Sequence, residues 1–308
     1  MRRVADRLVI AGVGLIGGSL GLALRARDAV GEVIGFGRSA SNLRIALRRG
    51  LIDRAERDPV RAARDADLVL VAVPVQAIAP VIGALAPNLP ASAIVTDAGS
   101  VKGPVVAAAA RILGAGAGRF CGSHPIAGTE LSGARAARVH LLEGQRCVLT
   151  PTASTAPLTR RRVRTFWEAA GMRVEEMAPA AHDRIFALVS HLPHVAAYAL
   201  VNAVADADKG RGRRALAYAA GGFKDWTRIA SSSPEMWRDI CLANRTELLR
   251  ALERFASAYD RLRHAIELGD GEAIAAELDR AQAIRRRLGA PAARRAVRVT
   301  SRRRARGA

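Results

Sequence analysis

The sequence predicts an α/β protein in two parts, an N-terminal doubly wound parallel sheet followed by a C-terminal all-helical domain. Three observations carry this prediction. Short apolar runs alternate with helical patterns through the first half of the chain, and a Gly-rich segment joins the first run to the first helix. Beyond about residue 180 the strand-like runs stop, while Ala- and Leu-rich helical stretches continue to about residue 288.

In chain order, residues 7–11 (RLVIA) form an apolar run suited to a buried parallel strand, and GVGLIGGSLGLALRA continues it as loop and helix. A second strand follows at 32–36 and a helix near 41–49. DLVLVAVP at 67–74 reads as another strand, 78–85 as a helix and AIVTD at 93–97 as a further strand. Runs at 146–149 and 172–176, flanking a helix at 158–170, close this half. Such alternation gives a parallel sheet covered on both faces, with ligands at the carboxyl ends of its strands. In the second half, residues 186–204 carry apolar side chains over most of the helix circumference and need burial against another surface, a second subunit included. The expected boundaries are 1–178 for the sheet domain, 179–290 for the helical domain and 291–308 for a tail.

A chain of 308 residues that is half apolar can bury a sizeable core in two domains. Its net charge of +20 raises the question of a nucleic-acid or membrane partner. The basic residues are almost all Arg, with Lys only at Lys102, Lys209 and Lys224, and no aromatic platform or zinc spacing accompanies them. A nucleic-acid role is therefore disfavoured. Arg294, Arg295, Arg298, Arg302, Arg303, Arg304 and Arg306 crowd the tail, which has little to bury and is expected to be disordered. Cys121, Cys147 and Cys241 are too few and too scattered for a disulfide framework, which points to a reducing compartment. Arg2 and Arg3 before an apolar run imitate a secretory signal, but glycines at fixed offsets favour strand, loop and helix there. No later segment gives an uninterrupted apolar span of membrane length, so a cytoplasmic location without a membrane partner is expected.

Gly12, Gly14 and Gly17 spell G-x-G-x-x-G between the first strand and helix. With Leu15 and Ile16 they are expected to hold a dinucleotide pyrophosphate at the helix N-terminus, a plain Gly-rich turn being the alternative. The second strand ends at Gly37, where a carboxylate usually binds the adenosine ribose. Arg38 and Ser39 offer instead a cation and a hydroxyl suited to a 2′-phosphate, so NADP is favoured over NAD unless Arg38 is a solvated loop cation. DAGSVK at 97–102 puts Ser100 at the carboxyl end of a strand, as a site residue or as part of a turn.

GSHPIAGTELSG at 122–133 carries His124, which Pro125, Gly128 and Gly133 are expected to place on a loop. A histidine of ordinary pKa, about 6.5, can take a proton from a hydroxyl at neutral pH. A histidine in a surface turn is the alternative. SHLPH sets Ser190 and His194 four apart and His191 and His194 three apart on one helix face, with Pro193 expected to kink the helix. No carboxylate or cysteine accompanies the two histidines, so substrate contact is favoured over a metal site. GGFKDWTRIA places Asp225 and Arg228 at i, i+3, as a pair that aims the guanidinium at a carboxylate or as an exposed salt bridge.

In this order GVGLIGGS, DAGSVK, GSHPIAGTELSG, SHLPH and GGFKDWTRIA resemble the prephenate/arogenate dehydrogenase family of tyrosine biosynthesis, from Gly12 to about Trp237, with continuing helices to about residue 288. The resemblance implies a Rossmann domain, a helical dimerisation domain and an active site between them, using a nicotinamide dinucleotide and forming a homodimer. It further implies that His124 is the catalytic residue on the ring hydroxyl of prephenate or arogenate, and that Ser100 helps hold both. Arg228 would bind substrate carboxylate, Asp225 would position it, and Ser190, His191, His194, Thr129, Glu130 and Trp237 would line the pocket. Gly37 departs from the acidic position of NAD enzymes, and the resemblance gives the Arg-rich tail no role. Two other readings share the scaffold: a hydroxyacid dehydrogenase or imine reductase, and a dinucleotide-sensing regulator that binds nucleic acid through the tail.

Overall fold

The computed structural model describes residues 3–207 and 214–288, so the Arg-rich tail and Lys209 lie outside the described residues. The first half alternates strongly: β1 (Ala5–Ala11), α1 (Leu15–Arg25), β2 (Val30–Phe36), α2 (Ala40–Arg48), β3 (Arg54–Glu56), α3 (Pro59–Ala63), β4 (Leu68–Val71), α4 (Val75–Leu85), β5 (Ile94–Asp97), α5 (Gly103–Leu113) and β6 (Phe120–Ile126). Then come β7 (Arg146–Thr150), α6 (Pro157–Ala169) and β8 (Arg173–Glu176). The rest is helical: α7 (Pro179–Phe186), a π turn (Ala187–His191), α8 (Leu192–Ala207), α9 (Arg214–Ala217), α10 (Gly221–Thr227), α11 (Pro234–Ala243), α12 (Arg245–Leu268) and α13 (Gly271–Leu288).

The strands make one sheet in the order β3-β2-β1-β4-β5-β6-β7-β8, parallel throughout except between β6 and β7. The order reverses between β1 and β4, the topological switch point at which a doubly wound sheet opens a crevice. Side-chain alternation distributes the core. Along β1, Leu8 and Ile10 join Leu20, Leu24, Phe166 and Trp167 on one face, while Val9 and Ala11 join Ile78, Ile82, Val95 and Val105 on the other. The expected α/β class and its helical C-terminal half are those of the structure.

Sequence patterning missed β3, α3, α5 and β6. β6 reads FCGSHPI, with glycine, serine, histidine and proline inside it, which contradicts strand propensity. It forms because Phe120 and Cys121 extend the parallel ladder from β5, after which residues from Gly122 to Ile126 pair only with β7. The second edge is then free of sheet partners, which is where a proline is tolerated. His124 is accordingly a strand residue opposite Val148, not the loop residue expected.

One compact unit ends at Leu252 and a second begins at Glu253. In the second, Arg261 and Arg280 both reach Glu277, at 3.1 and 2.8 Å, while Phe255, Tyr259, Ile266, Leu278 and Ile284 are exposed. In the first, α7, the π turn and α8 run on as one helix from Pro179 to Ala207, whose most apolar 18-residue window has a mean hydropathy of 1.4. By length and composition this helix could cross a membrane, contrary to the expectation of no such span. Pro193, which interrupts the apolar residues, does not end the helix. The helix instead absorbs the proline, whose ring clashes with the carbonyl four residues back, by widening to a π turn just before it.

Candidate active site

Gly12 closes the turn after β1 at φ +97°, and a Cβ there would lie 2.5 Å from the Ala72 carbonyl oxygen. At Gly17 a Cβ would meet the Gly12 carbonyl oxygen at 2.4 Å, so these two positions need glycine for the loop and helix to pack. Gly14 differs, because open space surrounds its would-be Cβ. It caps α1 with no side-chain hydrogen bond, leaving the first turn's N–H groups directed at whatever occupies the crevice.

That crevice is a cavity of about 460 Å³ lined by Gly14, Leu15, Ile16, Pro74, Ser100 and His124. A second cavity of about 440 Å³ is lined by Phe186, Ser190, His194, Arg228 and Trp237. His124, Thr129 and Glu130 line both, so the histidine stands where the Gly-rich loop's cavity meets the helical half's. An uncapped helix N-terminus, a backbone loop with no Cβ in the way and room beside it fit a dinucleotide pyrophosphate.

His124 is held from beneath by a buried charge pair. Lys102 is 0 % exposed, its ammonium bound to an Asp97 carboxylate oxygen and, at 2.7 Å, to the Ser123 carbonyl. Asp97 also accepts the N–H groups of Gly99 (2.8 Å) and Ser123 (3.1 Å), and the Trp167 indole donates to Ser123 Oγ at 2.9 Å. Lys102 and Asp97 therefore fix the residue preceding His124. On its other side His124 Nδ1 lies 2.9 Å from His182 Nε2, and His182 Nδ1 lies 2.8 Å from Asp183 Oδ1. Burial, then the nearness of His182 and Lys102, holds the His124 pKa well below the usual histidine value, so the ring is neutral at pH 7.

In the helical half His194 Nδ1 donates to the Ser190 carbonyl at 2.9 Å and its ring stacks on Trp237 with centroids 3.7 Å apart. Nε2 is then the lone-pair nitrogen of a neutral His194, whose pKa burial lowers. His191 shares the helix face but lines neither cavity. It is buried, accepts from Asn244 Nδ2 at 3.1 Å, and burial with His182 nearby brings its pKa down to about 4.

Arg228 reaches the site differently from the expected i, i+3 pair with Asp225. α10 stops at Thr227, Arg228 opens a 3-10 turn, and its ion pair is to Glu130, at 3.5 Å. Asp225 lines neither cavity. Ser39, expected at a phosphate, caps α2 by accepting the Asn42 N–H at 3.2 Å, while Arg38 is exposed after β2. His182, Asp183 and the Lys102–Asp97 pair were not singled out from the sequence. Their local signals are the dipeptide His182-Asp183 at the start of the helical half and the two ends of DAGSVK.

A doubly wound sheet, a Gly-rich loop on an open helix end and a neutral histidine between two cavities define an oxidoreductase that uses a nicotinamide dinucleotide. Residues 20–176 match the nucleotide-binding domain of prephenate dehydrogenase, and residues 178–280 its dimerization domain. The chain belongs to the prephenate dehydrogenase family. It is 37% identical to the cyclohexadienyl dehydrogenase of Zymomonas mobilis over 87% of this chain and 91% of that one, and 33% identical to the prephenate dehydrogenase of Bacillus subtilis over 88% and 73%. The crystal structure of Aquifex aeolicus prephenate dehydrogenase with hydroxyphenyl propionate and NAD+ superposes with a TM-score of 0.86 at 36% identity, covering 92% of this chain and 98% of that one.

Proposed function

We propose that the chain oxidatively decarboxylates prephenate to 4-hydroxyphenylpyruvate, with arogenate, which would give tyrosine, as the alternative substrate. The observation that carries this is His124 on the shared wall of the two cavities. Gly12, Gly14, Leu15, Ile16 and Gly17 would hold the dinucleotide, whose chemistry when bound is hydride acceptance. His124 Nε2, the ring nitrogen not engaged by His182, takes the proton of the ring hydroxyl, and Ser100 on the same cavity wall steadies that hydroxyl. Departure of CO₂ restores the aromatic ring. In this reading residues 1–178 bind the dinucleotide and 179–290 supply substrate contacts from Ser190, His194, Arg228 and Trp237, with Thr129 and Glu130 on the loop between. The enzyme works in the cytoplasm on a small molecule.

Arg228, held over the second cavity by Glu130, is the carboxylate ligand of this reading. Arg228→Ala removes a charge-assisted contact of roughly 1.5 to 3 kcal/mol, so apparent substrate affinity should weaken about 10- to 150-fold. Steady-state kinetics with unchanged KM and kcat would leave it only a surface ion-pair residue.

The cofactor is NADP rather than NAD in this reading, since Arg38 is exposed directly after β2 and makes no ion pair among the described residues. Assays crossing prephenate and arogenate with both cofactors test substrate and cofactor together. The expected result is a kcat/KM about 10-fold higher with NADP, less if Arg38 is solvated. A Cβ at Gly37 would have its nearest neighbour, Leu43, at 3.9 Å, so Gly37→Asp fits and should move preference toward NAD. A native preference for NAD with NADP constants untouched by Arg38→Ala would place Arg38 in solvent.

The chain works as a homodimer. The dimerization-domain match covers the helix Pro179–Ala207, of which 22% of the most apolar window is buried, and the exposed side chains Ile185, Leu188 and Val189. Sedimentation should give twice the chain mass, and a fully active monomer at micromolar concentration would refute the assembly.

A further inference from the structure

His124, His182 and Asp183 form a line that ends on the first turn of α5. Asp183 Oδ1 accepts the Lys102 N–H and Oδ2 the Gly103 N–H, each at 2.7 Å. Burial alone would raise the Asp183 pKa, but the hydrogen bonds from His182 and from these two amides bring it below the usual carboxylate value. Its oxygens can then only accept, so His182 Nδ1 must carry the proton of the 2.8 Å bond. In neutral His182 the lone pair is therefore on Nε2, and across the 2.9 Å contact His124 Nδ1 is the donor. The lone pair of His124 is left on Nε2.

We propose that His182 is both the positioning residue for His124 and the group on which the abstracted proton's charge comes to rest. This rests on the reading of His124 as the base. As the O–H bond of the substrate breaks, its proton bonds to His124 Nε2 and the electron pair stays on the substrate oxygen. The proton on His124 Nδ1 passes to His182 Nε2, so His124 ends neutral with its other nitrogen protonated. His182 ends as an imidazolium against the Asp183 carboxylate. No redox partner is needed for this transfer. Two imidazoles 2.9 Å apart share one added proton, because a second would set two cations in contact. Asp183 touches His182 and not His124, which decides where the charge settles. The other charged or titratable groups around the pair are Lys102, already matched by Asp97, and His191 on the π turn. Phe186 packs on both rings, with centroids 4.8 Å from His124 and 4.4 Å from His182, and shields the bond between them from water.

Two substitutions separate the roles. His182→Asn keeps an amide donor for Asp183 but is too short to reach His124, and kcat should fall on the order of 10- to 100-fold with KM changed less than about twofold. His182→Gln carries an oxygen far enough to accept from His124 Nδ1 but cannot take the charge. It should recover part of kcat while the acid limb of the kcat profile moves to lower pH, since His124 alone is harder to protonate. Independently of turnover, ¹⁵N spectra of histidine-labelled wild-type protein should show the His124 proton on Nδ1, which decides the matter even if a variant fails to fold. A His124 proton on Nε2, or a folded His182→Asn enzyme with native kcat and pH profile, overturns the proposal. If His124→Asn is inactive while both His182 variants behave as wild type, only the relay falls; if His124→Asn stays active, the reading beneath it falls as well.

Discussion

His124→Asn should lower kcat by on the order of 10² to 10⁴ while leaving cofactor affinity nearly unchanged. The split follows from position. His124 lines the same cavity as Gly14, Leu15 and Ile16, but in the proposed reading the phosphates meet α1 backbone, which the substitution does not touch. An asparagine retains a polar group of similar reach toward His182 and offers no basic nitrogen toward substrate, so the loss measures the proton transfer rather than a collapsed wall. Single-turnover kinetics with binding monitored separately checks both halves, and a variant with near-native kcat would remove His124 from the chemistry.

The largest expected effect on stability comes from a residue with no place on the cavity wall. Lys102→Met keeps the volume and the backbone N–H that binds Asp183, yet strands the Asp97 carboxylate in a fully buried site. Loss of one partner of a buried pair costs about 3 to 5 kcal/mol, even though replacing both is often nearly neutral. Denaturant unfolding should show that drop for Lys102→Met, with substantial recovery in Lys102→Met combined with Asp97→Asn. Amides of Gly99 and Ser123 remain to satisfy the side chain in the double variant. Equal stability of Lys102→Met and wild type would show that the pair is not what fixes the strand under His124.

Much of this was legible in the sequence because its cues are local. G-x-G-x-x-G after an apolar run names its own geometry, and the alternation of strand and helix patterns sets the sheet. Ser100, His124, Ser190, His194 and Arg228, which line the cavities, each sit in a motif with recognisable spacing. What escaped is what depends on distant pairing. β6 has poor strand propensity and exists because β5 and β7 flank it, so His124 was expected on a loop. His182 touches His124 across 58 positions, and Asp183 caps a helix about 80 positions earlier. No periodicity encodes such contacts. Arg228 shows the converse error, in which a local spacing suggested a partner, Asp225, while the ion pair is made to the distant Glu130.

The π turn at Ala187–His191 makes segment length, and not only residue identity, a determinant of this site. A π turn holds one residue more than the α-helical turn it replaces. Were the segment to close to regular α geometry with no residue removed, everything beyond it would turn by about 100° relative to α7. His194 would leave Trp237 while Phe186 stayed against His124, so the two halves of the pocket would lose phase with each other. A one-residue deletion inside the turn removes the surplus residue and keeps the flanking helices in phase, whereas a deletion outside it would rotate the whole following helix.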